Sequence, residues 1–191
     1  MNEQSVGGPL VYSARARRFH WLTVAILAVQ FPVGFAMVYR GNSLNIWDGI
    51  TNNLYGLHRL LGFILLFAVI LPRLAYRLVH GAPADEPGLA WWQRIAAHAT
   101  HWALYALLIA VPLGGWIGVQ LYGALDVFGL FDLPGFLAVN QPAAERVFAL
   151  HKFGAFAILA LLAAHIGAAV FHHFIRRDGV LARMLPKRGQ P

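Results

Sequence analysis

Four long apolar runs constrain this chain more than any other feature of its sequence. They cover residues 19–39, 57–79, 98–122 and 146–174. The hydrocarbon core of a bilayer is about 30 Å thick and a helix rises about 1.5 Å per residue, so each run is long enough to cross a membrane as a helix. The sequence therefore predicts an all-α membrane protein, a four-helix transmembrane bundle that forms a single domain over residues 1–191.

The composition agrees with a membrane protein and narrows its chemistry. The chain is 59% hydrophobic and 12% charged, whereas a soluble domain averages about 25% charged residues. It contains no cysteine, which excludes disulfides, Cys-ligated iron–sulfur clusters and the thioether attachment of c-type haem. The net charge of +7 does not indicate nucleic-acid binding, because the basic residues lie at the ends of the apolar runs.

Basic residues are unevenly divided between the two ends of the predicted bundle. Four spans place both termini on one side, and eleven of the fifteen lysines and arginines fall on that side. The others are Arg40, Arg59, Arg146 and Lys152. Because basic residues are retained on the cytoplasmic side, we expect both termini in the cytoplasm. The first run follows a basic cluster, as in a signal peptide, but it is too long and lacks a small-residue cleavage site, so we interpret it as an uncleaved span.

Histidines within the apolar runs pair by depth. The fourth run carries His151 and His165, whose spacing of 14 residues places them on one helix face, about 21 Å apart along the axis. Because the spans alternate in direction, His58 lies at the depth of His151, and His20 lies at the depth of His165. Imidazole inside a membrane is costly and usually marks a functional site. Two such pairs are what two six-coordinate haems need, and filled axial positions favour electron transfer over oxygen chemistry.

Other histidines leave alternatives open. His98 and His101, at the start of the third run, are rival partners for the haem on the cytoplasmic side, or residues of the membrane interface. His172 lies seven residues after His165, about 20° from the same stripe, where a quinone headgroup could meet that haem. Together with His173 it could instead end the helix, since cations favour a helix C-terminus. Any single histidine could also be a hydrogen-bonded packing residue.

Several charged and small residues lie beside the candidate ligands. The basic ones are Arg17, Arg18, Arg59 and Lys152. These side chains could pair with haem propionates, or anchor helices at the interface and set the topology. The small ones are Gly34, Gly62 and Gly154. They either leave room for a porphyrin edge or allow close helix packing.

Several segments resemble the bacterial cytochrome b561 family, which is itself similar to the membrane cytochrome b subunits of nickel–iron hydrogenases. They are RRFHWL at 17–22, LHRLLG at 57–62, AHATHWALY at 97–105, and LHKFGAFAILALLAAHIGAAVFHHF from residue 150 with LARMLPKR behind it. The resemblance spans nearly the whole chain. It implies a four-helix bundle in the bacterial inner membrane, with two haems b, quinone as redox partner, and axial ligands at His20, His58, His151 and His165. One member of that family oxidises superoxide and reduces ubiquinone.

We therefore predict a di-haem cytochrome that carries electrons to or from ubiquinone and, if it acts alone, a superoxide:quinone oxidoreductase. One alternative is a cytochrome b anchor subunit that relays electrons from a hydrogenase or another dehydrogenase to quinone. An alternative from another class is a haem-free membrane transporter or scaffold, which would be colourless. The expected partners are membrane lipid, quinone, superoxide, and a redox partner protein or a second copy of the chain.

Overall fold

Four long helices dominate the computed structural model, which describes residues 11–185. They are α1 (Ala14–Ser43), α2 (Gly49–His80), α3 (Trp91–Tyr122) and α4 (Gln141–Arg176). Each is long and apolar enough to cross a membrane, so the predicted four-helix architecture is confirmed. Between α3 and α4 lies a short antiparallel hairpin of β1 (Asp126–Val127) and β2 (Phe131–Asp132). We call the end of the bundle with this hairpin the hairpin end, and the end where α1 begins and α4 finishes the terminal end.

Part of the predicted basic excess near the termini lies outside the described residues. Lys187 and Arg188 belong to that part.

Capping residues extend two helices beyond the apolar runs that predicted them. α2 begins ahead of the apolar run 57–79, where the Asp48 carboxylate accepts a hydrogen bond from the backbone N–H of Thr51 (2.9 Å). That hydrogen bond also holds the pKa of the Asp48 carboxyl below its ordinary value. α4 likewise begins ahead of its apolar run, where the Asn140 side chain accepts from the backbone N–H of Ala143 (3.1 Å). Polar first turns of this kind carry no hydropathy signal, so the apolar runs underestimate the lengths of the helices.

A π-helical stretch interrupts α2 immediately before Pro72. It covers Leu65–Ile70, and the chain continues as α-helix over Leu71–His80. Proline has no N–H and its ring crowds the preceding turn, and a π-helical turn accommodates both effects. The helix therefore accommodates Pro72 by widening locally. Side chains of this wider turn belong to the core, and those at most 3% exposed are Leu65, Leu66, Val69 and Ile70.

An apolar core joins all four helices. It includes Ile26 of α1, Val69 of α2, Leu108 of α3 and Ile158 of α4. Many large apolar side chains instead point outward and remain exposed, among them Leu22, Phe35, Leu150, Phe153 and Ile166. Because water disfavours so large an apolar exterior, this surface is suited to contact with lipid.

Candidate functional site

The hairpin end of the bundle brings together His58 of α2 and His151 of α4. Their ring centres are 6.0 Å apart and the ring planes are at 79° to each other. These are the two histidines that the sequence pairs by depth near the side opposite the termini. The pair defines the first candidate site, which we call the hairpin-end pair.

Three imidazoles meet near the terminal end, and we call them the terminal-end cluster: His20 of α1, His101 of α3 and His165 of α4. The ring centre of His165 is 6.2 Å from that of His20 and 5.4 Å from that of His101. The structure therefore brings His165 near both its predicted partner and one of the two rivals. His98, the other rival, has a side chain that is 52% exposed and lies 3.3 Å from the Asp85 carboxylate, away from the cluster.

Hydrogen bonding identifies the free ring nitrogen of His151. Its Nδ1 lies 2.8 Å from the backbone carbonyl oxygen of Val111. A carbonyl only accepts, so Nδ1 donates and a neutral ring keeps its lone pair on Nε2. Histidines that bind metals commonly donate their other N–H in this way. Gly115 makes the approach possible, because a Cβ at that position would lie 2.9 Å from Cε1 of His151.

His58 lies against α1, and only some of its polar atoms have hydrogen-bond partners. Its backbone carbonyl accepts a hydrogen bond from Nε2 of Gln30 (2.9 Å). Its Nδ1 and the Gln30 Oε1 are buried and have no hydrogen-bond partner among residues 11–185. A Cβ at Gly34 would lie 3.2 Å from Cε1 of His58, so the absence of a side chain there allows the ring to sit against α1. Buried polar atoms without partners are rare and call for an explanation such as a bound group.

Arg73 of α2 contacts the terminal-end cluster, and the sequence analysis did not single it out. Its Nη2 lies 3.1 Å from Nδ1 of His20, and its Nη1 donates to Oγ1 of Thr23 (3.2 Å). Its Cζ lies 5.3 Å from the centre of the Tyr105 ring, in a cation–π contact. Arginine only donates, so Nδ1 of His20 is the acceptor here. The sequence did carry a signal for Arg73, because it is a charged residue inside the apolar run 57–79 and such residues usually have a function.

The basic residues predicted beside the ligands differ in what they contact. Arg59 donates to two backbone carbonyls, one of them that of Ala124 just before β1 (2.6 Å), and so ties α2 to the segment that leads into the hairpin. Arg17 donates to a backbone carbonyl just before α1 (3.0 Å). The side chains of Arg18 and Lys152 are exposed.

His172, at the end of α4, pairs with a carboxylate that the sequence analysis also missed. Arg177 adopts a left-handed conformation (φ 53°), which turns the chain so that Oδ2 of Asp178 lies 2.6 Å from Nδ1 of His172. The two side chains are only 11% and 17% exposed. Burial raises the pKa of the Asp178 carboxyl, but hydrogen bonds from His172 and the Val180 N–H outweigh it and hold the pKa below its ordinary value.

Comparisons with known proteins match the chain over most of its length. The family model described as prokaryotic cytochrome b561 matches residues 11–187. Cytochrome b561 homolog 2 of Escherichia coli (strain K12) is 34% identical over 180 residues, which cover 94% of this chain and 93% of that protein. Cytochrome b561 homolog 1 of the same organism is 30% identical over 88% of this chain and 93% of its own length. The probable superoxide oxidase CybB of Yersinia pestis is 26% identical, over 93% of this chain and 97% of its own length.

Proposed function

This chain belongs to the prokaryotic cytochrome b561 family, and from that premise we propose that it is a di-haem b-type cytochrome carrying electrons within the bacterial inner membrane to or from ubiquinone. We further propose that it acts alone as a superoxide oxidase, the activity in the name of its Yersinia pestis relative. The observation that carries the proposal is a pair of neighbouring imidazoles from different helices toward each end of the bundle.

The separation of the imidazole rings fits one iron between each pair. A ring nitrogen binds a metal at about 2.0 Å and lies about 1.1 Å from the ring centre, so imidazoles on opposite sides of one iron have centres about 6.2 Å apart. The observed separations are 6.0 Å for His58 and His151, and 6.2 Å for His20 and His165. The separation of 5.4 Å between His101 and His165 is shorter. These values support His20, His58, His151 and His165 as the axial ligands.

The chain itself holds and orients these ligands. The Val111 carbonyl accepts from Nδ1 of His151, so Nε2 is the nitrogen that would bind iron. Both α4 ligands lie on the uninterrupted α-helical stretch Gln141–Phe171, which sets the two sites about 21 Å apart along that helix. Ile158, midway between them, is 3% exposed and belongs to the apolar core. Haem b held by these four histidines would supply a one-electron iron couple, which suits electron transfer.

Basic residues near each pair are the proposed partners of the haem propionates. The candidates are Arg17, Arg18, Arg59 and Lys152. The exposed side chains of Arg18 and Lys152 are free to reorient toward an anion, whereas Arg59 would have to give up its backbone contacts. We also propose that residues 1–191 are a single domain of this family and that the terminal end is cytoplasmic, because most of the basic residues lie there.

The superoxide reaction needs an anion to reach the hairpin-end pair. Arg59, Arg146 and Lys152 lie toward that end and would attract superoxide electrostatically. Oxidation of two superoxide ions to two molecules of O₂ releases two electrons, which with two protons reduce one ubiquinone to ubiquinol.

His172 is the proposed contact of the quinone at the other end. Its Nδ1–H donates to Asp178, so the neutral ring keeps a lone pair on Nε2, which would accept a hydrogen bond from a hydroxyl of the reduced quinone, the quinol. The contact would lie about two helical turns beyond His165 on the same face of α4.

A dithionite-reduced minus oxidised spectrum, combined with a pyridine haemochrome assay on the detergent-purified protein, tests the cofactor content. We expect two haems b per chain, and the loss of one haem in His58→Ala and in His165→Ala. His98→Ala is the matched control and should keep both, since its side chain lies outside the terminal-end cluster. A protein that stays colourless after haem supplementation would exclude the cytochrome and leave the haem-free transporter or scaffold.

The superoxide step is tested with enzymatically generated superoxide and a soluble ubiquinone analogue. Neutralising Arg59, Arg146 and Lys152 together should slow superoxide-driven haem reduction and weaken its dependence on ionic strength. An unchanged rate would overturn the superoxide assignment. Haem reduction only in the presence of a co-purifying dehydrogenase would support the anchor-subunit alternative instead.

A further inference from the structure

Arg73 brings a positive charge to the terminal-end cluster without an acidic partner. None of the ion pairs found among residues 11–185 includes it. The acidic residues of this part of the chain lie in connecting segments or close to helix ends, and they are Asp48, Asp85, Glu86, Asp126, Asp132, Glu145 and Asp178. A guanidinium in apolar surroundings is stabilised when it is paired with an anion. The cluster therefore has a positive charge that no described side chain balances.

Coordination of an iron by His20 would displace Arg73 from its present contact, a step that rests on the proposed function. If Nε2 coordinates, Nδ1 carries the proton and becomes a donor. The guanidinium also only donates, so the contact of 3.1 Å would place two donors against each other. If Nδ1 coordinates instead, Arg73 occupies the position of the metal. In both cases the guanidinium has to turn away from His20.

We propose that Arg73 binds a propionate of the haem at the terminal end. Propionates are the anionic groups that haem brings to a site, and the planar fork of a guanidinium binds a carboxylate through two parallel hydrogen bonds. The Tyr105 ring beside the guanidinium keeps it near the cluster after it leaves His20. Arg73 thereby joins Arg17 and Arg18 as a proposed propionate partner at this end of the bundle.

Reconstitution of the haem-depleted full-length protein in detergent tests the pairing. Wild type, Arg73→Gln, Arg73→Lys and Arg94→Gln are each titrated with haem and with haem dimethyl ester, in which both propionates are uncharged. Arg94 is the matched control, because it is an exposed arginine near the same end of the bundle. The measured quantity is the affinity for the second equivalent of haem, and absorbance monitors the binding.

We expect Arg73→Gln to bind the second haem roughly tenfold to a hundredfold more weakly than wild type, since a charge-assisted hydrogen bond is lost. Arg73→Lys should lose less, and Arg94→Gln should match wild type. The dimethyl ester should bind wild type and Arg73→Gln equally.

Two results would overturn the inference while leaving the cytochrome assignment intact. One is an Arg73→Gln protein that binds haem as tightly as wild type. The other is a variant that loses affinity for the ester as much as for haem, which would show a structural role for Arg73. A wild-type protein that takes up no haem would overturn both the inference and the proposed function.

Discussion

At the terminal end, His165 has two imidazole neighbours, and their ring separations differ. His20 lies at the separation expected across an iron, and His101 lies closer. We predict that His20→Ala lowers the haem content from two to about one per chain, whereas His101→Ala keeps both haems. The pyridine haemochrome assay measures this difference. The opposite pattern would assign the ligand to His101 and leave His20 as its neighbour.

The carboxylate of Asp178 gives a pH-dependent contribution to stability. Its pKa in the folded protein lies below the ordinary value of about 3.9, so the charged form stabilises the fold at higher pH. That contribution is lost as the pH falls through the folded pKa. We predict that the difference in melting temperature between wild type and Asp178→Asn is largest near neutral pH and disappears at the lowest pH values.

Circular dichroism in detergent at a series of pH values measures this difference. In a His172→Ala background the effect of Asp178→Asn on the melting temperature should be smaller, because the side chain that donates to Asp178 is missing. A difference that persisted unchanged to low pH would show that the charge of Asp178 does not stabilise the end of α4.

At the scale of the elements, α3 and α4 approach closely where His151 lies against Gly115. A side chain at Gly115 would meet the imidazole, whereas a Cβ at the adjacent Gly114 has no atom within 4 Å. We predict that Gly115→Val displaces His151 and removes about one haem per chain, while Gly114→Val keeps both. Both variants have the same propensity cost in a helix, so their difference in haem content reports the contact.

Equal haem content in the two valine variants would mean that α3 and α4 can separate without loss of the site. Loss in both would point to general destabilisation of α3, which thermal unfolding would reveal.

At the scale of the whole molecule, orientation can be read by cysteine labelling, because the chain has no cysteine of its own. Leu130→Cys places a thiol at the tip of the hairpin, where the side chain is 79% exposed. Ala82→Cys places one in the exposed loop after α2. We predict that an impermeant maleimide labels Leu130→Cys in intact spheroplasts and Ala82→Cys only after lysis. The reverse result would invert the proposed topology.

The sequence by itself determined the number of helices and the depths of the key histidines. The length of the apolar runs determined the number of helices, since in a membrane few other structures satisfy the backbone hydrogen bonds of four such runs. The fixed rise and rotation per residue of a helix determined the depths of the histidines and placed His151 and His165 on one face. The polar helix starts at Asp48 and Asn140 lie outside the apolar runs, because capping hydrogen bonds are independent of hydropathy.

Only the tertiary structure decided which side chains meet across helices. Depth can be counted along a chain, but contact also depends on how each helix is rotated about its axis, which packing of the whole bundle sets. For this reason the sequence could not show that His101 also lies against His165, or that Arg73 lies against His20. The contact of Asp178 with His172 depends on the left-handed backbone conformation at Arg177, which no residue pattern at that position predicts.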